Sequence, residues 1–316
     1  MGPGISKNSS SPTPHRILNS HMIRILATAF AGLLGLAFGS FLNVCLSRWP
    51  AGESIVHPRS HCRNCAHTLS WRENIPLLSW LLLRARCRYC RTAISIRYPL
   101  VESAVGLLWA AVAWRYVPAV LDPNESASSI VFALLAMAGK FTFTWLLVAL
   151  AALDLENLWL PNQLTFPGIV IGFAYSLLPW YWIDRIPFFG LRRVTLAGVA
   201  LRSVLAIVAA AGLVLLLRWL YALIRHHEGM GLGDVKLMAM LAAWLGLPAT
   251  LLAFLIGTLL GAIAGIAVIL LPSFREDPHD WKTTRLPFGT FLCIGGIVSS
   301  LWGPQFIYAY LRLVGL

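Results

Sequence analysis

The chain has 316 residues, 58% of them hydrophobic and only 12% charged, with a formal net charge of +12. A mean hydropathy of +0.72 excludes an ordinary soluble domain and points to a polytopic membrane protein. The basic excess is gathered in one loop rather than spread over a face, which argues against a nucleic-acid partner.

In chain order, "MGPGISKNSSSPTPHRILNSH" (1–21) is rich in Ser, Pro and Gly and reads as a disordered tail. A hydrophobic window of about 20 residues makes one span, and roughly eight such windows follow. They lie near 22–45, 99–118, 129–153, 163–183, 197–224, 235–248, 249–272 and 287–313. The first continues without a small-residue cleavage site and reads as a retained span rather than a signal peptide. The expected fold is therefore an all-α polytopic membrane protein. It has a tail, one helix (22–45), a cytoplasmic module (46–98) and a seven-helix membrane domain (99–316).

Nine arginines lie between Arg48 and Arg97, against only Glu53 and Glu73. By the positive-inside rule this loop is cytoplasmic. Alternation then puts the N-terminus and "LDPNESASS" outside; Arg192 and Arg193 also fall outside, against the rule. A basic cytoplasmic face can hold anionic headgroups of the lipid bilayer. Within the loop, "SWRENIPLLSWLLLRAR" has near-helical apolar spacing and reads as a segment lying against the membrane.

The same loop holds "CRNC" (Cys62, Cys65) and "CRYC" (Cys87, Cys90), separated by 21 residues. Each knuckle presents two sulfurs, and four thiolates suit one tetrahedral metal, zinc by ligand type. Disulfides are the alternative, disfavoured by a reducing cytoplasm. Cys45 and Cys293 sit in apolar helix as small buried hydrophobes. Gly257, Gly261 and Gly265 form a small-xxx-small stripe that reads as helix packing. No repeat of 20–50 residues is evident.

Two aspartates stand at the edges of spans. Asp154 follows "LLVALAAL", and Asp234 lies in "EGMGLGDVK" at the mouth of the sixth window. Two spans separate them, so topology returns both to the cytoplasmic end. Paired carboxyls can divide labour, one protonated as acid and one ionised as base, which is the logic of an aspartic protease. The bland reading is helix capping, which suits Asp234 but not Asp154, where a negative charge after a helix opposes the dipole. The glycines of "GMGLGD" do not follow a strand and so make a poor nucleotide loop; they allow a bend or the approach of an extended peptide. Lys236 either tunes a neighbouring group or snorkels to the interface. His226 and His227 read as a solvated pair, and Lys140 lies inside the third span with no evident role.

Five segments in this order resemble the type IV prepilin peptidase family: "GSFLNVCLSRWP", the cysteine module with "ENIPLLSWLLLRARCRYC", "DLENLWLPN", "GMGLGDVK" and "RLPFGTFL". The resemblance covers nearly the whole chain. It implies a membrane GxGD-type aspartic endopeptidase of the bacterial inner membrane with Asp154 and Asp234 as the catalytic pair. It implies prepilin or pseudopilin substrates, of type IV pili or type II secretion, cut after glycine at the cytoplasmic face. It further implies N-methylation of the new N-terminus with S-adenosylmethionine. One departure stands out. The family carries a glycine two residues before the third module cysteine, and here that residue is Ala85, which puts methyl transfer in question. Two rival classes remain: a non-enzymatic scaffold docking a partner through the cysteine module, and a transporter using the aspartates as a relay. The second expects charges near mid-membrane and broken helices.

Overall fold

Long apolar runs with few breakers can bury their backbone polar groups in lipid only as helices. A computed structural model describes residues 14–122, 125–178, 195–225, 231–270 and 286–315. Eight α-helices order these residues: α1 (Pro14–Arg48), α2 (Leu78–Leu82), α3 (Arg97–Leu121), α4 (Ala127–Asn157), α5 (Asn162–Ser176), α6 (Leu196–Arg225), α7 (Leu232–Leu270) and α8 (Phe288–Val314). A 3-10 turn, Trp71–Asn74, precedes α2. The only β-pairing among the described residues is two isolated bridges in the cysteine module. Six helices are long and apolar enough to cross a membrane. Helix α1 begins at Pro14, inside the stretch whose composition reads as tail.

Helix α7 is too long for one crossing. Its 39 residues would extend about 58 Å at 1.5 Å per residue, against roughly 30 Å of hydrocarbon. Gly246, at φ 72° and ψ 168°, breaks it in a conformation that side chains disfavour. The neighbours of the two halves differ. From Lys236 through Met240 to Trp244 the first half follows α5, meeting Asn162, Gly168 and Gly172 in turn. After the break, Ala249 lies by Ser299 and Gly303, Ala253 by Gly295, Gly257 by Leu292 and Gly265 by Leu286. The second half therefore runs antiparallel to α8, back toward the end from which the first half came. The two windows at 235–248 and 249–272 are thus two limbs joined at Gly246, and the short α5 is the described part of the window at 163–183.

Close backbone approach holds the limbs together. A Cβ on Gly295 would come within 2.2 Å of the Ala253 carbonyl oxygen, and one on Gly39 within 2.7 Å of Glu102 Cα. Gly257, Gly261 and Gly265 all face α8, as the packing reading of that stripe expects. Large apolar side chains on the outer faces, such as Phe30, Leu33, Val208 and Leu216, are exposed and meet lipid.

Candidate active site and metal centre

Helix α4 runs to Asn157 and closes with Leu158 in the left-handed conformation, before Pro161 opens α5. Asp154 therefore lies in the last turn of its helix and not beyond it, because hydrogen bonding continues one turn past the apolar window. Helix α7 starts at Leu232, so Asp234 is its third residue rather than its N-cap, where a negative charge still complements the dipole. Both side chains are buried, 6% and 8% exposed, in a region where an unpartnered carboxylate is expensive.

The two carboxylates converge. They interact electrostatically with each other, and the thiol of buried Cys293 senses both. Leu160 packs beside both: a Cβ on Gly233, next to Asp234, would meet Leu160, and a Cβ on Gly289 would meet both Leu160 and the Asp154 carboxylate at 3.0 Å. The N-terminus of α8 supplies the hydrogen bonds. Thr290 donates its amide to Asp154 Oδ2 at 2.7 Å, and its hydroxyl lies 3.2 Å from the same oxygen and 3.0 Å from the Ala151 carbonyl. The same amide lies 3.1 Å from Pro287 O, so this first-turn N–H is shared between a backbone carbonyl and the carboxylate. Sequence reasoning quoted "RLPFGTFL" but assigned no role to Gly289 or Thr290. A helix start with Gly and Thr at its second and third residues was the available signal.

The cysteine module stands at the same end of the bundle. Arg97, at the start of α3, pairs with Glu156 at 2.7 Å, two residues past Asp154. Buried Glu102 accepts the Leu77 amide at 2.8 Å, pinning the module to α3. Asn43 Nδ2 donates to Tyr98 O at 3.0 Å, and Arg48 donates to the carbonyls of Ser54 and Pro58 at 2.7 and 2.6 Å. These bonds give Asn43 and Arg48 of "GSFLNVCLSR" a role: they hold the exit of α1 against α3 and shape the loop that follows.

The module is two copies of one knuckle. A bridge pairs His61 with Thr68 in the first and Arg86 with Ala93 in the second. Cys62 N donates to His67 O and Ala66 N to Cys62 O; Cys87 N donates to Thr92 O and Arg91 N to Cys87 O. Ala66 and Arg91 share a positive φ, at 57° and 60°. This is a short internal duplication where the sequence reads as free of repeats. The two knuckles, "HCRNCAHT" and "RCRYCRTA", share only two cysteines and an arginine, so backbone geometry reveals the likeness that side chains hide.

The four sulfurs lie within 4.8 Å of one another, and Cys62 Sγ is 3.7 Å from Cys90 Sγ. Metal–sulfur bonds of about 2.3 Å at tetrahedral angles give sulfur–sulfur edges of about 3.8 Å. The residues fit a four-thiolate metal site, and none is in a disulfide. Asn64 Nδ2 donates to Thr92 Oγ1 at 2.8 Å, and that oxygen is 3.3 Å from Cys90 Sγ. The Cys90 thiol donates to Thr92 Oγ1, and once the sulfur is a thiolate the hydroxyl turns to donate to it. The Cys90 thiol is pushed down to about 5, chiefly by Thr92, and Cys62 is also lowered, chiefly by the Cys65 amide.

Ala85 occupies a left-handed position, φ 56°, bonded through its amide to Trp80 O and through its carbonyl to Ile94 N. A glycine accepts that conformation without the Cβ penalty. The remaining residues are placed as follows. Cys45 and Cys293 are fully buried. Lys236 Nζ donates to Asn162 Oδ1, joining the starts of α7 and α5. His226 and His227 lie outside the described residues.

Residues 33–116 match the bacterial peptidase A24 N-terminal domain, and residues 141–266 match the type IV leader peptidase family. The chain belongs to the type IV leader peptidase family. Among its relatives is a prepilin leader peptidase/N-methyltransferase of Aeromonas salmonicida, 35% identical over 93% of this chain and 97% of that protein. Proteins of the same name from Stutzerimonas stutzeri and Myxococcus xanthus are 32% and 38% identical, covering 96% and 84% of this chain and 100% and 69% of their own lengths. No solved structure matches the chain.

The module carries a direct prediction. Protein purified under reducing conditions should hold about one metal per chain, and Cys87→Ser should release it. Thr92→Val should weaken metal binding by roughly 10–100-fold, as loss of a ligand's supporting partner does, measured by competition with a chromophoric chelator. Unchanged affinity would show that Thr92 does not support Cys90.

Proposed function

We propose that this chain is a membrane aspartic endopeptidase that removes the leader from type IV prepilins or pseudopilins, with Asp154 and Asp234 as the catalytic pair. The observation that carries this reading is two buried carboxylates from α4 and α7 meeting at one end of a membrane bundle, beside a glycine-lined helix start. The sequence family and the relatives' names supply the substrate class.

The chemistry follows from the pair. With two like charges close together, one carboxyl is held protonated and the other ionised. The ionised one takes a proton from water as the water oxygen adds to the scissile carbonyl carbon. The protonated one donates to the carbonyl oxygen. Collapse of the resulting diol breaks the C–N bond, and the leaving amine takes a proton from the dyad. Thr290 holds the Asp154 rotamer throughout, so the base or acid is already aimed when the peptide arrives. Gly233 and Gly289 let Leu160 and the Asp154 carboxylate pack close against the starts of α7 and α8, and by family resemblance the peptide is cut after glycine.

Sidedness rests on charge: the arginine-rich loop 48–97 lies at the end that carries the aspartates, and the positive-inside rule puts that end in the cytoplasm of a bacterial inner membrane. The four-thiolate site is read as zinc in a closed structural role, since four protein ligands leave no open position for a substrate. Methyl transfer to the new N-terminus is read from the relatives' names. It requires a sulfonium donor such as S-adenosylmethionine, which supplies an electrophilic methyl group. Among the described residues no strand–glycine loop–helix unit offers that donor a cradle.

A transport reading could draw on the break at Gly246 and on Lys140, deep in the span. The break, however, turns the chain back on itself, and Lys140 bonds to Ser300 rather than to the aspartates.

Three outcomes test the proposal. Asp154→Asn and Asp234→Asn should each abolish leader cleavage, by about a thousandfold or more, while inserting normally; substantial residual cleavage in either removes the dyad. Gly289→Ala places a methyl 3.0 Å from the Asp154 carboxylate and should lower kcat by on the order of 10–100-fold; a native kcat would mean that the carboxylate is not held there. Ala85→Gly should relieve the left-handed strain, raise methylation of the product and leave cleavage unchanged, both followed by mass spectrometry of one time course. Equal methylation in the two proteins would show that Ala85 is harmless.

A further inference from the structure

Four described helices carry an internal proline, Pro118 in α3, Pro167 in α5, Pro248 in α7 and Pro304 in α8, and at two of them a basic side chain reaches the carbonyl that the proline strands. Proline has no N–H, so Pro304 in α8 leaves the Ser300 carbonyl without its helical donor, and Pro118 in α3 does the same to Trp114. Within hydrocarbon no water can fill the gap, and a prolyl helix is tolerated where a neighbouring group supplies the bond. Here a basic side chain from the next helix does so both times. Lys140 Nζ, on α4, is 3.3 Å from Ser300 O and 3.0 Å from Ser300 Oγ. Arg24, on α1, donates to Trp114 O from Nε at 3.1 Å and from Nη2 at 2.7 Å, with its guanidinium 3.7 Å over the Trp114 ring. The pairing of an interior proline with a basic side chain at the carbonyl four residues before it, found at two of the four internal prolines and in different helix pairs, gives the buried Lys140 amine a structural reason.

The α4–α8 case has a consequence for chemistry. The two helices share a second polar link, Thr290 to Asp154, at the other end of the same interface. Fourteen residues of α4, about 21 Å, separate Lys140 from Asp154. Between the links the contact is smooth: Gly296 of α8 packs on Leu147 of α4 and Leu241 of α7. Small and apolar surfaces set separation well but register poorly, and a buried polar pair is the device that specifies register.

We propose that Lys140 is a positioning residue: by filling the carbonyl that Pro304 strands, it fixes the register of α8 on α4 and so keeps Thr290 on Asp154. This rests on the reading of Asp154 as catalytic.

The experiment compares the full chain in lipid vesicles with Lys140→Met, Pro304→Ala and the double variant, measuring kcat and KM for leader cleavage and the unfolding temperature. Lys140→Met should lower kcat by about tenfold or more and leave KM within about twofold, because register and not substrate binding is lost. Pro304→Ala restores an N–H to the Ser300 carbonyl, so the double variant should recover most of the lost kcat. A Lys140→Met loss that Pro304→Ala does not recover overturns the proposal, as does a lowered unfolding temperature with native kcat. Should Lys140→Met fail to insert, Lys140→Arg takes its place: it keeps a donor and should stay within about threefold of native kcat, and a tenfold loss there counts against the proposal. Asp154→Asn runs alongside. Cleavage surviving in that variant defeats the dyad reading by itself, while the coupling between positions 140 and 304 is scored separately.

Discussion

Hydrocarbon offers no hydrogen bonds, and most features of this molecule answer that constraint. It forces the apolar windows into helices, it confines the cysteine module to the loop between α1 and α3, and it sets a cost on each polar group buried within the bundle. At the rim Asp154 meets Thr290, and Asp234 lies within electrostatic reach of Asp154. The carbonyls stranded by Pro118 and Pro304 meet Arg24 and Lys140. Trp244 Nε1, deep in the bundle, reaches the Gly168 carbonyl at 2.8 Å.

Packing against lipid has no hydrophobic drive between helices, so close approach takes its place. Glycines at the α1–α3 and α7–α8 contacts bring backbones together, and the same residues keep the surfaces slippery. Polar links therefore carry more of the burden of register than in a soluble core. One consequence is that the site is built from three helices distant in the chain, with α4 and α7 bringing the acids and α8 bringing the donor that aims one of them.

The cysteine module and the acid pair share one end because α3 ties them, through Arg97 to Glu156 on one side and Glu102 to the Leu77 amide on the other. On the proposed reading, a peptide cut at the aspartates would release its new amine at the face where the module lies. That places a second reaction on the same product within reach without the chain having to cross the bilayer. The strained Ala85 stands in the module, away from the acids, which separates its influence from theirs.

The sequence by itself determined the class of fold, the extra loop with its four thiolates, and the two aspartates, because hydropathy, CxxC spacing and rare charges beside apolar runs are local signals. It also placed a division at 248/249, where Gly246 and Pro248 punctuate an apolar run that would otherwise read as one. It took Asp154 to follow its helix, since the last turn of α4, "DLEN", is polar and apolarity stops one turn before hydrogen bonding does. What only the tertiary structure decided is which groups meet. Thr290 and Asp154 are 136 residues apart, and Lys140 and Ser300 are 160. Neither pair leaves a periodic mark, because each exists only once the packing of α8 on α4 has brought the two side chains to the same depth.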